Sequence, residues 1–216
     1  MTLLATFAIF FLTTSSSFGL DRLEEILAAM GKAGDSLETL AADFEQTNHD
    51  HILEEEEKSS GKLYMKVPGN IRWEYAPPDS KVLLVKDDKI LLYNPIAHQA
   101  QEFKQGQKRG AGADLLIGFG KSNAEIGKHY DVSLVGEDDR QVVLRLIPKQ
   151  DSAASLFAAI DMTLNKENWT PDRTVFHELN KDTTILEFQD VRVNGPLPPK
   201  AFELELPPGV EIISSE

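Results

Sequence analysis

Gly61–Tyr93 reads GKLYMKVPGNIRWEYAPPDSKVLLVKDDKILLY, and this stretch decides the fold. In Gly61–Val67 the residues Leu63, Met65 and Val67 share one parity, and Lys62, Tyr64 and Lys66 the other. In Ile71–Tyr75 the residues Ile71, Trp73 and Tyr75 alternate with Arg72 and Glu74. A period of two marks strands with one dry and one wet face. Pro68-Gly69-Asn70 is the turn between them, and Pro77-Pro78-Asp79 and Asp87-Asp88 are the next breaks. Two apolar runs follow, one on each side of Asp87-Asp88. Four short strands in sequence make an antiparallel meander.

Upstream, Leu20–Ala33 reads as a helix, because Leu23, Ile26, Leu27, Met30 and Ala33 form one stripe at spacings of three and four. Gly34-Asp35 ends it. Leu40, Ala42, Phe44 and Gln46 alternate, which predicts a strand from Leu40 to Ile52, with Glu54–Ser60 as the hairpin tip. Downstream, Gln99–Phe103 is a further strand. Gly106–Gly112 is a Gly-rich basic loop, Ala113–Phe119 an apolar segment of about two helical turns, and Ser122–His129 a short helix with a capping box from Ser122 and Glu125. Strands then return at Tyr130–Val135, Val142–Ile147, Ala158–Leu164, Thr174–Leu179, Thr184–Phe188 and Phe202–Leu206. Their regular spacing points to an antiparallel barrel or sandwich of about eleven strands in one domain.

The chain has 22 Lys and Arg against 35 Asp and Glu, a formal net charge of -13. That balance argues against a nucleic-acid partner, which needs a basic face. Residues 1–19, MTLLATFAIFFLTTSSSFG, carry no charged side chain and hold an apolar run from Leu3 to Leu12. The run is too short to span ~30 Å of hydrocarbon. With small residues at Ser17 and Gly19 it reads as an export signal, leaving 20–216 as the mature domain. There is no cysteine, so disulfides, thiol chemistry and cysteine-linked lipidation are all excluded.

Little in the chain calls for catalysis or a metal. His49-Asp50-His51 followed by Glu54–Glu57 has ligand residue types but no third ligand at a defined spacing, and a solvated acidic hairpin is favoured. Gly118-Phe-Gly-Lys-Ser122 looks like the end of a phosphate loop, yet Leu115 stands where the pattern needs its first Gly. His98, His129 and His177 are scattered, with no nucleophile elbow near them. No cofactor is expected. What stands out is an aromatic surplus, Trp73, Tyr75, Phe103, Phe119, Phe157, Phe176, Phe188 and Phe202, spread over many strands. These residues either fill a barrel core or line a cavity in a barrel too wide to be filled, and pattern alone leaves the two open.

Phe44-Glu-Gln46, Gly61-Lys-Leu-Tyr-Met-Lys-Val-Pro68, Ile71-Arg-Trp-Glu-Tyr75, Pro78, Leu83-Leu-Val-Lys-Asp-Asp88, Leu92-Tyr-Asn-Pro95 and Phe202-Glu-Leu-Glu-Leu-Pro-Pro-Gly-Val210 resemble, in order and spacing, the periplasmic lipoprotein-carrier family, the LolA-like proteins. The resemblance implies an incomplete antiparallel barrel closed by a helical lid over an apolar cavity. It also implies the function: a monomer that carries the acyl chains of lipoproteins from an inner-membrane ABC transporter to an outer-membrane lipoprotein receptor. On that footing Leu63, Met65, Ile71, Trp73, Tyr75, Leu115, Phe119 and Phe188 are expected to line the cavity, with Gly112, Gly118 and Gly120 as lid hinges. Two positions depart from the family pattern. Val67 stands where many carriers place an Arg that bonds to the lid, and Asp88 replaces the Gly of the following turn. Arg72 is the nearest guanidinium, and its parity points it away from Trp73. The same fold also serves other functions. A lipid- or lipoprotein-sensing regulatory module is one alternative, and a glycolipid-binding protein or enzyme another.

Overall fold

The computed structural model describes residues 17–87, 89–104, 123–149 and 157–214. Its elements in order are α1 (Ser17–Asp35), β1 (Thr39–Asp50), β2 (Glu55–Lys66), β3 (Asn70–Tyr75), β4 (Val82–Lys86), β5 (Lys89–Asn94), β6 (Gln99–Lys104), α2 (Asn123–His129), β7 (Tyr130–Glu137), β8 (Gln141–Pro148), β9 (Phe157–Asn165), β10 (Pro171–Glu178), β11 (Thr183–Val193) and β12 (Glu211–Ser214). All twelve strands belong to one sheet in the order β12-β6-β5-β4-β3-β2-β1-β11-β10-β9-β8-β7. The order has two ends, β12 and β7, so this is an open curled sheet. Every pairing is antiparallel except β12 against β6.

Side-chain parity sets the inner face. The register Phe44↔Gly61, Gly61↔Tyr75, Leu63↔Trp73 and Trp73↔Leu83 aligns the alternating apolar sets of β1 to β4. On the other side Phe44↔Phe188, Thr174↔Leu186 and Met162↔Thr174 carry the same face through β11, β10 and β9. These residues and the stripe of α1 form one core cluster, in which Ile26 and Met30 are buried beside Leu63, Trp73, Leu144, Met162 and Phe176. Burying a side chain such as Ile26 is worth roughly 1.5–3 kcal/mol. Helix α1 packs against β7 and α2. Its end is fixed by Asn194, which has a left-handed φ of 56°. The Asn194 side chain accepts from the Glu38 N–H at 2.8 Å and donates to the Ser36 carbonyl at 2.9 Å, which ties the α1–β1 junction to the end of β11.

Three expectations need correction. Glu54–Ser60 is not a hairpin tip: β2 begins at Glu55, and the ladder is continuous from Asp50↔Glu55 to Thr39↔Lys66. The Asp50 carboxylate accepts the N–H groups of Ile52 and Leu53, and Glu54 takes φ 54°, so His51–Glu54 closes the turn and frees the Glu run to extend. Phe202–Leu206 is not a strand either. Prolines 196, 198, 199, 207 and 208 bracket it and keep it out of the ladder. The segment instead lies on the outer face, where Leu204, Leu206 and Val210 pack on Val82, Tyr93 and Ala100. Among the described residues the last strand is β12, unforeseen in Glu211–Ser214, and it makes twelve strands there. Third, α1 is longer at both ends than Leu20–Ala33.

Candidate functional site: the inner face of the sheet

Six of the expected lining residues, Leu63, Met65, Ile71, Trp73, Tyr75 and Phe188, meet in the inner cluster. Leu63 is fully buried, Trp73 is 2 % exposed, and Ile71 and Tyr75 are half-buried. Leu115, Phe119, Gly112, Gly118 and Gly120 fall outside the described residues. Phe44, absent from the expected lining, stands at the centre. Its ring centroid lies 4.6 Å from that of Trp73 and 5.1 Å from that of Tyr75, the second contact edge-on. Trp73 also meets Phe188 edge-on at 6.1 Å. The Phe44 ring covers Gly61. A Cβ at Gly61 would fall 2.8 Å from that ring and 2.0 Å from the Glu74 carbonyl, so only glycine fits. The alternation Leu40, Ala42, Phe44, Gln46 was the signal that places Phe44 inside.

Along the strands the inner face changes character. Towards the β1–β2 and β10–β11 turns, apolar side chains give way to a hydrogen-bonded polar line. The Tyr75 hydroxyl donates to Gln46 Oε1 at 2.7 Å, and Gln46 Nε2 donates to Asn48 Oδ1 at 2.9 Å. Thr184 Oγ1 donates to the same Asn48 oxygen at 3.2 Å. Burial pushes the Tyr75 phenol up to about 12, against a smaller opposing pull from the Trp73 indole N–H. Beyond the line lies a concavity of about 670 Å³, bordered by Asn48, Asp50, Glu57, Glu178 and Asp182 among others.

Two fastenings hold parts of the chain against the sheet. Arg22 of α1 grips Glu137 at the end of β7 with Nε to Oε2 at 3.0 Å and a second bond through Nη2, and Lys166 reaches the same carboxylate. The Arg22 and Lys166 contacts hold Glu137 down at about 2. On the opposite face, Arg72 donates from Nε to Glu74 at 2.8 Å and from Nη1 to the Glu203 carbonyl at 3.0 Å. Arg72 therefore points away from Trp73, as its parity predicts, and it clamps the C-terminal segment to the outside of the sheet. No helix among the described residues is long and apolar enough to cross a membrane.

An inner face lined by aromatic and aliphatic side chains, backed by an open curled sheet and crossed by a helix, invites comparison with known proteins. The model of the family described as outer membrane lipoprotein carrier protein LolA matches residues 35–205. The chain belongs to this family. An outer-membrane lipoprotein carrier protein of Chromobacterium violaceum is 34% identical over 180 residues, 82% of each chain. Among solved structures, an uncharacterized conserved protein of Thermus thermophilus superposes with a TM-score of 0.58 at 15% identity, covering 90% of this chain and 99% of that one. The MucA/MucB complex of Pseudomonas aeruginosa gives 0.50 at 11% identity, covering 85% of this chain and 61% of that one. At these identities the structural likenesses speak to fold alone. Family and sequence relatives support a lipoprotein-carrier role, and the relatives' name is that of a non-enzymatic protein.

Proposed function

We propose that this LolA-family protein is a periplasmic carrier that shelters the acyl chains of lipoproteins against its inner face and moves them from the inner to the outer membrane. The observation that carries the reading is the inner cluster itself. Leu63, Met65, Trp73 and Phe188 come from three different strands and converge on one face, which α1 crosses. Acyl chains gain ~0.8 kcal/mol per buried CH₂, so two or three of them need a dry enclosure to cross water. The reading needs no catalysis: an apolar surface and a cover that opens suffice. Residues 1–19 act as the export signal and 20–216 as the carrier domain. An inner-membrane ABC transporter is the donor, and an outer-membrane lipoprotein receptor the acceptor. Leu115 and Phe119 complete the lining, with Gly112, Gly118 and Gly120 as hinges.

Native mass spectrometry of the mature protein, purified from its own periplasm without detergent, tests this directly. Bound lipoprotein or phospholipid supports the carrier. Trp73→Glu and Leu63→Glu proteins are expected to express and to lose acyl binding. An empty protein that accepts no acylated peptide from donor membranes would overturn the reading.

A further inference from the structure

Two neighbouring turns at one end of the sheet carry large aliphatic side chains into water. Ile52 and Leu53, on the β1–β2 turn, are 83% and 64% exposed, and Leu179, on the β10–β11 turn, is 68% exposed. Single exposed aliphatics are ordinary, whereas a group of them marks an interaction surface. A bond between the turns groups these three: the His51 N–H donates to Asp182 Oδ1 at 2.9 Å, next to the ladder pair His49↔Thr183. Each turn is also fixed from within. The Asp50 carboxylate accepts the N–H groups of Ile52 and Leu53 at 2.8 Å each, and Asn180 Oδ1 accepts the Asp182 N–H at 3.0 Å. Side chains on such a rigid support lose less freedom when a partner covers them.

Charge narrows the choice of partner. Asp50, Glu55, Glu56, Glu57, Glu178 and Asp182 border the concavity of about 670 Å³ that Leu53 also lines. None of these six carboxylates enters an ion pair among the described residues. Resting on the carrier reading, we infer that this end of the sheet is a docking surface for a membrane-held protein whose apolar pocket is edged by lysine or arginine. Ile52, Leu53 and Leu179 enter the pocket, and the carboxylates meet its basic edge, which speeds encounter and fixes orientation. The same charges count against two other occupants. An anionic lipid surface repels the carboxylates, and a second copy would set acidic end against acidic end. The hydrogen-bonded line from Tyr75 through Gln46 to Asn48 separates this end from the aromatic cluster. Docking and lipid shelter are thus separate tasks on one sheet.

The test loads the full mature protein with a fluorescent diacyl lipopeptide. It compares the wild type with Ile52→Ser/Leu53→Ser/Leu179→Ser, with Glu55→Lys/Glu56→Lys, and with the control Ile96→Ser, whose side chain is 69% exposed on the β5–β6 turn. All four are expected to load equally, because none of these side chains belongs to the inner cluster. Uptake from spheroplasts of the same bacterium and delivery to its outer-membrane fragments are then timed. The triple variant should slow at least one of the two steps about tenfold, the loss expected when anchoring side chains are truncated. Glu55→Lys/Glu56→Lys should slow the same step, and added salt should slow the wild type there. Ile96→Ser should slow neither. Shaving the membranes with protease should abolish the difference between wild type and triple variant. A triple variant that loads and transfers like the wild type would overturn the docking surface and leave the carrier reading intact. A difference that persists on shaved membranes, or on protein-free anionic liposomes, would assign the tips to lipid and overturn the protein partner. A wild type that neither loads nor transfers would overturn the carrier reading and the docking surface with it.

Discussion

Truncating Leu63 separates a side chain that only fills a core from one that lines an exchangeable space. Leu63 is fully buried between Ala42 on β1 and Trp73 on β3. Leu→Ala at such a site typically costs about 2–5 kcal/mol, the lost transfer energy plus the void it leaves. Taking about 3 kcal/mol, and about 2–4 °C per kcal/mol for a domain of this size, the empty protein should lose about 6–12 °C in Tm. If acyl chains pack where Leu63 points, a flexible chain can fill much of that void, and the loaded form should lose far less. A short diacyl lipopeptide should then raise the Tm of Leu63→Ala by several degrees more than it raises that of the wild type. Val82→Ala is the control, because Val82 packs on the outer face against Tyr93 and Ala100. It should lower Tm with and without ligand by the same amount. Scanning calorimetry of three proteins, each with and without lipopeptide, makes the comparison. A ligand-induced shift in Leu63→Ala no larger than in Val82→Ala would refute the argument that this surface is lined for cargo.

Other outcomes follow from particular contacts. Gly61→Ala should destabilise by about 1–3 kcal/mol in urea titrations, the usual cost of overpacking, because its Cβ would collide with the Glu74 carbonyl and the Phe44 ring. Arg72→Met should leave the inner face intact but loosen residues 197–210, seen as faster hydrogen exchange there, because the Glu203 carbonyl loses its donor. Glu137 is a depressed carboxylate, so its contribution is present above its ordinary value near 4.5 and fades as pH falls towards about 2. Exchange in α1 should therefore rise across that acid window in the wild type. In Glu137→Gln it should be elevated already at neutral pH and change less. An α1 that exchanges identically in both proteins at pH 7 would show that the Arg22 contact does not hold it.

Most of the sheet was legible because it rests on period-two patterns that survive into the structure unchanged. Parity alone groups Leu63 with Met65 and Trp73 with Ile71 and Tyr75, since a strand leaves a side chain only two directions, and the resemblance joined those sets and Phe188 into one lining. The acidic hairpin was misplaced because Glu54–Glu57 carries no apolar alternation to mark β2. Pairing there is imposed by the neighbouring strand, and the turn by the Asp50 carboxylate, whose bonds to Ile52 and Leu53 look like any loop in sequence. Phe202–Leu206 failed the other way. Its alternation is real and half-buries Leu204 and Leu206, but against the outer face and without a ladder. Long-range partners were beyond reach as well. Nothing in Arg22 or Glu137 announces the other, and the parallel pairing of β12 with β6 depends on where the proline-rich segment delivers the chain. Within the site, Tyr75 could be read as aromatic and inward, but its bond to Gln46 depends on a register two strands wide.

The way α1 is fastened bears on how a carrier could let go. Its buried stripe, Ile26 and Met30, faces the same cluster that cargo would displace, so apolar contacts that close the empty protein are replaced, not lost, when chains enter. That exchange is nearly neutral per unit area, because one hydrocarbon surface substitutes for another. What remains to be broken on opening is the polar fastening between Arg22 and Glu137. That pair is partly exposed, and exposed ion pairs are worth little and are screened by salt. The C-terminal segment is held differently. It combines an apolar patch on Val82, Tyr93 and Ala100 with the Arg72 clamp, whose side chain is only 13% exposed. The molecule therefore has a cheap fastening on the inner side and a firm one on the outer side. On the carrier reading, opening follows the weaker of the two, and the sheet that holds the lining residues in register stays whole.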